Sequence, residues 1–241
     1  MTPWSRPGAE QVCADGQVVD EYDVIDLVSS LVDKSMVQRD LSHRDRFVML
    51  ETLRQFGEEE LNANDEAAGL RFRHADYFRD LAVGQHERSH GPGEQQAWKV
   101  IDLEWENLRG AYNHAVATDD LDLAAVIVTS VFVYAQSALR HELGTWADAL
   151  LDREIPDHRL YGPLSGIRGH FAFERGDYEL ARRRVEQHLT SDSADIDYCP
   201  PSAAPAYALA GDIAGVDRTS QLMLDIEIGR ASCRERVWRY V

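Results

Sequence analysis

Lysine is almost missing from this chain. Lys34 and Lys99 are the only two among 25 basic residues, and the remainder are arginine. We read that bias as a mark of GC-rich coding DNA rather than of chemistry. Positive charge is scarce as well: 42 acidic residues leave a formal net charge of −17. A surface of that sign repels a phosphate backbone, which argues against general nucleic-acid binding. Cysteine is limited to Cys13, Cys199 and Cys233. They are odd in number, widely scattered and without metal spacing, so the expectation is small buried side chains in a reducing cytoplasm. No Gly-Lys pair occurs, so the phosphate-cradling Gly-x-x-x-x-Gly-Lys-Ser/Thr loop is absent. Residues 1–8 have no apolar core of the kind a secretory signal needs.

Long apolar runs are equally rare. LAAVIVTSVFVYAQSAL, residues 123–139, is free of charge, but it is short for a bilayer and carries Thr129, Ser130, Gln136 and Ser137. Asp119, Asp120 and Asp122 stand just before it. The expectation is a helix buried by neighbouring helices, with no membrane span. At 241 residues with 44% apolar content, the chain can hold one large domain or two small ones.

What is present is clearest between residues 23 and 57. Val24, Leu27, Val28, Leu31 and Val32 fall at i, i+3, i+4, i+7 and i+8, one apolar stripe of a helix with Asp23 as a fair N-cap. Val37 and then Phe47, Val48, Met49 and Leu50 supply strand formers on either side of the polar run 40–45. Helix, strand, hairpin, strand, helix is the second half of a winged-helix domain. Residues 1–17 show little periodicity, so the opening helices of such a domain look truncated or replaced.

From Glu51 the helical pattern resumes, breaks at 62–65, and continues through GLRFRHADYFRDLA (69–82) until Gly91-Pro92-Gly93 stops it. Trp98, Ile101, Leu103, Trp105, Leu108, Ala111, Tyr112 and Ala115 mark the next helix, followed by helices near 121–143 and 144–151. GHFAFERGDYELARRRVEQHL (169–189) reads as two antiparallel helices joined at Arg175-Gly176-Asp177-Tyr178. Residues 191–202 are polar and proline-containing, residues 203–214 begin another helix, and residues 227–241 turn basic and continue no repeat.

DVIDLVSSLVDKSMV followed by RFVMLETLRQFGEEEL resembles the winged-helix segment of the STAND class of bacterial signal-transduction ATPases and transcriptional regulators. In that family a P-loop module precedes the winged helix and tetratricopeptide-like repeats follow it. The resemblance implies a mainly α fold. Residues 1–61 would be a partial winged helix (helix plus β-hairpin wing), 62–96 a linker helix and loop, and 97–226 a tetratricopeptide-like repeat region. Residues 227–241 are similar to translated sequencing-adapter DNA and are expected to be a non-native tail.

The chain carries a literal HExxH, His86-Glu87-Arg88-Ser89-His90, a zinc-hydrolase spacing on a helix. Gly91-Pro92-Gly93 follows at once, and a third ligand such as Glu104 would have to be invoked without a pattern. Ser165, in Gly162-Pro163-Leu164-Ser165-Gly166, lies one place too late for a nucleophile elbow. No catalytic, cofactor-binding or metal residue is therefore assigned, and no enzyme is expected. Residues 1–60 hold thirteen acidic residues against six basic ones, with Asp23, Asp26 and Asp33 on the helix that would read DNA.

The resemblance implies a non-catalytic, cytoplasmic regulatory fragment. It would relay the nucleotide state of a P-loop ATPase module missing from this chain to helical repeats that hold a protein or peptide partner. A winged-helix DNA-binding regulator is the alternative, and an HExxH zinc hydrolase the remote one.

Overall fold

In the computed structural model the residues described are 3–14, 19–43, 45–153, 158–190, 207–209, 211–221 and 224. The expectations for residues 191–202 and 227–241, for 203–206 and 210, and for Cys199 and Cys233 lie outside them. The chain is mainly α, a partial winged helix followed by an array of antiparallel helices. It divides into two compact units, Met1–Ser130 and Val131–Val241.

The first unit opens with β1 (Trp4–Ser5) and α1 (Arg6–Cys13), then α2 (Glu21–Asp33), β2 (Val37–Arg39), β3 (Arg46–Met49) and α3 (Glu51–Ala63). The strands form an antiparallel sheet in the order β1-β3-β2. Val37 pairs with Met49 and Arg39 with Phe47, and on the other edge Trp4 pairs with Phe47 and Ser5 with Arg46. Trp4 stacks on Phe47 with ring centroids 5.0 Å apart. Residues 4–13, in a stretch aperiodic in sequence, thus supply a third strand and a short helix. The local chemistry is Ser5, whose Oγ accepts from the Gly8 amide at 3.2 Å and caps α1, with Pro7 in the first turn.

Helix α2 starts earlier than its apolar stripe suggested. Asp20, not Asp23, is the N-cap: its carboxylate accepts from the Tyr22 and Asp23 amides at 2.8 and 2.9 Å. Asp23 returns the bond, accepting from the Asp20 amide at 3.2 Å, which completes a capping box. Of the stripe, Val24 alone is buried, whereas Leu27 is 53% exposed. Cys13, expected to be buried, is exposed on the last turn of α1.

The helical part of this unit comprises α4 (Ala67–Ser89), α5 (Glu94–Ala117) and the greater part of α6 (Leu121–Ser137). Helix α5 buries Ala97, Ile101, Glu104, Trp105, Leu108, Ala111, Tyr112 and Ala115, a 3.6-residue stripe facing α4. A carboxylate sits in the middle of it. The uncharged run of α6 is buried along most of its length, from Leu123 to Ala135. No helix among the described residues is long and apolar enough to cross a membrane.

The sequence pattern ran this helix on to residue 143, but α6 stops at Ser137. Leu139 adopts φ 54°, and the Arg140 amide donates back to the Ala135 carbonyl at 2.8 Å, a left-handed C-cap.

In the second unit, α7 (Glu142–Leu151) and α9 (Tyr178–Thr190) both pack on α8 (Tyr161–Glu174). The turn expected at residues 175–178 is present. Gly176 takes φ 82°, its amide donates to the Phe173 carbonyl at 2.9 Å, and the Asp177 amide donates to the Ala172 carbonyl at 3.0 Å. That is a Schellman motif, with Asp177 then capping α9 through the Leu180 amide at 3.1 Å. Gly169 lets α9 approach, since a Cβ there would lie 3.1 Å from the Ala181 carbonyl oxygen.

Candidate functional site

The first unit concentrates its buried polar chemistry where the wing meets the helices. Arg46, the first residue of β3, is 6% exposed, and Glu104, on the inner face of α5, is 4% exposed. Arg46 Nη1 donates to Glu104 Oε1, and Nη2 donates to Glu104 Oε2 at 3.1 Å, a bidentate pair. The same Nη2 donates to the carbonyls of Pro3 at 2.6 Å and Leu103 at 3.1 Å. Asn107 Nδ2 donates to Glu104 Oε2 at 2.6 Å. One guanidinium therefore ties together the segment leading into β1, strand β3 and helix α5.

Helix α4 closes the other side. His74 hydrogen-bonds Asn107, and burial pushes its pKa below the ordinary histidine value, with Asn107 and Glu104 pulling the other way. Tyr77 has a raised pKa, first from burial and then from the nearby Glu104 charge. Arg73 Nε donates to the Val12 carbonyl at 2.8 Å, fixing α1 on α4. An unpaired charge at this depth would cost several kcal/mol. The compensation is a neutral pair with four guanidinium hydrogen bonds, and its arrangement positions secondary structure rather than a reacting atom.

The sequence weighed Glu104 as a conceivable third zinc ligand, but the structure commits it to Arg46. His86 lies within α4 and His90 is that helix's C-cap. His86 Nδ1 donates to the Ser130 carbonyl at 3.2 Å, and His90 Nδ1 donates to the His86 carbonyl at 2.8 Å. Their rings meet edge to face at 4.6 Å. Among the described residues no three His, Cys, Asp or Glu side chains are placed to share a metal ion. Ser165 is fully buried inside α8, away from any turn.

The helix that a winged-helix protein would present to DNA is α2. Its exposed residues include Glu21, Tyr22, Asp23, Asp26, Leu27, Ser29, Asp33 and Lys34. Three nearby cations are held in ion pairs, Arg46 with Glu104, Arg54 with Glu51 at 2.6 Å and Glu58 at 3.2 Å, and Arg6 with Glu10 at 3.4 Å, while Lys34 and Arg39 are exposed. The buried role of Arg46 was missed in sequence, where it counted as one more charge at the end of a polar hairpin.

No family model matches the chain, and no solved structure matches it. Curated relatives do. Proteins provisionally named HTH-type transcriptional regulators, from Mycobacterium bovis and from strains of Mycobacterium tuberculosis, are 30% identical to this chain over 160 residues. That match covers 63% of this chain and 17% of each relative. The chain thus spans under a fifth of the length of the curated relatives it matches, and what it resembles is one part of a large transcriptional regulator.

Proposed function

We propose that this chain is a non-catalytic regulatory segment of a large STAND-type transcriptional regulator. Its partial winged helix passes the nucleotide state of a P-loop ATPase module to a tetratricopeptide-like array, which holds a protein or peptide partner in the cytoplasm. The observation that carries this reading is the buried Arg46–Glu104 pair, which locks the wing strand to the helix that follows the linker. A displacement of the wing is then transmitted as a displacement of α5. The similarity to named transcriptional regulators supports the regulatory setting.

The second reading, direct DNA contact by α2, draws on the HTH-type names of those relatives. Charge disfavours it. Most non-specific affinity for DNA comes from neutralising phosphates, and the exposed face of α2 carries Glu21, Asp23, Asp26 and Asp33 against Lys34.

The test is a pair of measurements. Fluorescence anisotropy at low ionic strength should show no association of the purified chain with duplex DNA. In a longer protein that carries the P-loop module, exchanging ADP for an ATP analogue should alter protease sensitivity in α5 as well as in the wing. Salt-dependent DNA binding lost on Lys34→Glu would instead establish the second reading, and a nucleotide response confined to residues before the wing would refute the relay.

A further inference from the structure

Helix α3 is anomalous among the helices of the first unit, because none of its thirteen residues is buried. An isolated helix of that length is marginal in water, and proteins normally stabilise such helices by packing an amphipathic face. Helix α3 has that face. Leu53, Phe56, Gly57 and Leu61 recur at i, i+3, i+4 and i+8, with Leu50 just before the first turn. Leu53, Gly57 and Leu61 are half-covered, but Phe56 stands 56% exposed and Leu50 41% exposed. An exposed ion pair of 3.0 Å also links Glu58 to Arg71 on α4. Gly57 weakens the helix further, since nothing lies within 4 Å of where its Cβ would be, so no close approach requires glycine there.

Charge says what kind of surface completes it. Glu59 and Glu60 stand at i+3 and i+4 from Phe56, one turn further along the helix, and both are exposed. The cation of α3, Arg54, is already held by Glu51 and Glu58. A second copy of this chain would bring the same acids to the contact, within a net charge of −17. Nucleic acid and anionic lipid headgroups are repelled for the same reason. We propose that α3 is a docking helix for a basic amphipathic helix of a partner protein. Phe56 is the apolar anchor and Glu59 and Glu60 are the contacts for arginine or lysine. This goes beyond the relay and does not rest on it, since α3 lies outside the Arg46–Glu104 clamp.

The experiment titrates the full chain with a synthetic amphipathic helical peptide carrying leucine on one face and arginine on the other. The same peptide with glutamate in place of arginine is the control. The arginine peptide should bind and the glutamate peptide should not. Phe56→Ser should weaken binding about tenfold, as expected for an anchor residue. Gly57→Ala should tighten it up to about fivefold, by making the helix better ordered before binding. Glu59→Gln/Glu60→Gln should weaken it, whereas Glu87→Gln/Asp217→Asn, the same charge change at exposed sites elsewhere, should not. Circular dichroism of each variant confirms that it is folded. Equal losses in the two charge variants, binding indifferent to Phe56, binding of the glutamate peptide, or a Phe56-dependent self-association in sedimentation would each overturn the proposal.

Discussion

Arg46 and Glu104 lie 58 residues apart in the chain and share a bidentate, buried ion pair. Removing one member of such a pair strands the other charge in a low-dielectric site, a cost of about 3–5 kcal/mol. Arg46→Met and Glu104→Leu should therefore each destabilise the chain by roughly that amount in urea melts. The double variant should be more stable than either single one, because no charge is left unpaired. Additive losses in the double variant would show that the two side chains act independently.

Stability should fall on mild acidification. Burial holds the pKa of both His74 and His170 below the ordinary histidine value of 6.5. As the pH drops through 6.5, the unfolded chain takes up protons that these folded histidines refuse. The loss is at most about 1.4 kcal/mol per pH unit for each histidine. Above that pH the two contribute no slope. Glu51 and Glu179, whose pKa values are lowered chiefly by hydrogen bonds from Arg54 and Arg182, act at lower pH and so leave this window clear. Thermal melts between neutral pH and pH about 5 should show the decline. The variant His74→Gln should show a shallower one.

Glycine-to-alanine changes should have opposite signs at two helical positions. At Gly57 the space is open and alanine gains up to about 1 kcal/mol from helix propensity. At Gly144 a Cβ would lie 2.8 Å from the Phe171 Cβ, so Gly144→Ala forces overpacking worth about 1–3 kcal/mol. Denaturant midpoints of the two variants, compared with the parent, decide the matter.

Leu139 should be improvable. It is 63% exposed and sits at φ 54°, a left-handed position that a Cβ disfavours. Leu139→Gly should stabilise the chain by up to about 1 kcal/mol, read as a higher urea midpoint. A lower midpoint would mean that the leucine side chain contributes more than its backbone costs.

These residues also mark what could be read from sequence. The order helix, strand, hairpin, strand, helix was visible because a 3.6-residue apolar stripe ends at Val32 and strand formers at Val37 and at Phe47 to Leu50 then flank a polar run. The turn at Gly176 was visible because a left-handed C-cap favours glycine there. The turn at Leu139 was hidden because the sequence places an ordinary apolar residue in the same geometry. Strand β1 is two residues long, too short for any period, and its evidence is the partner strand β3. Arg46 and Glu104 were illegible for a related reason. A charge reads as surface until its partner is known, and here the partner is 58 residues away. The partly covered stripes of α2 and α3 show the converse, since periodicity reveals an apolar face but not what covers it.

The central claim is that wing and α5 move as one body through Arg46 and Glu104. Native-state hydrogen exchange of the chain at increasing urea tests it most directly, following the ladder amides of β2 and β3 alongside the core amides of α5. The account expects both sets to merge into one opening with a shared denaturant slope, and expects Glu104→Leu to split them. Wing amides that exchange by a separate, denaturant-insensitive opening in the parent chain would contradict it.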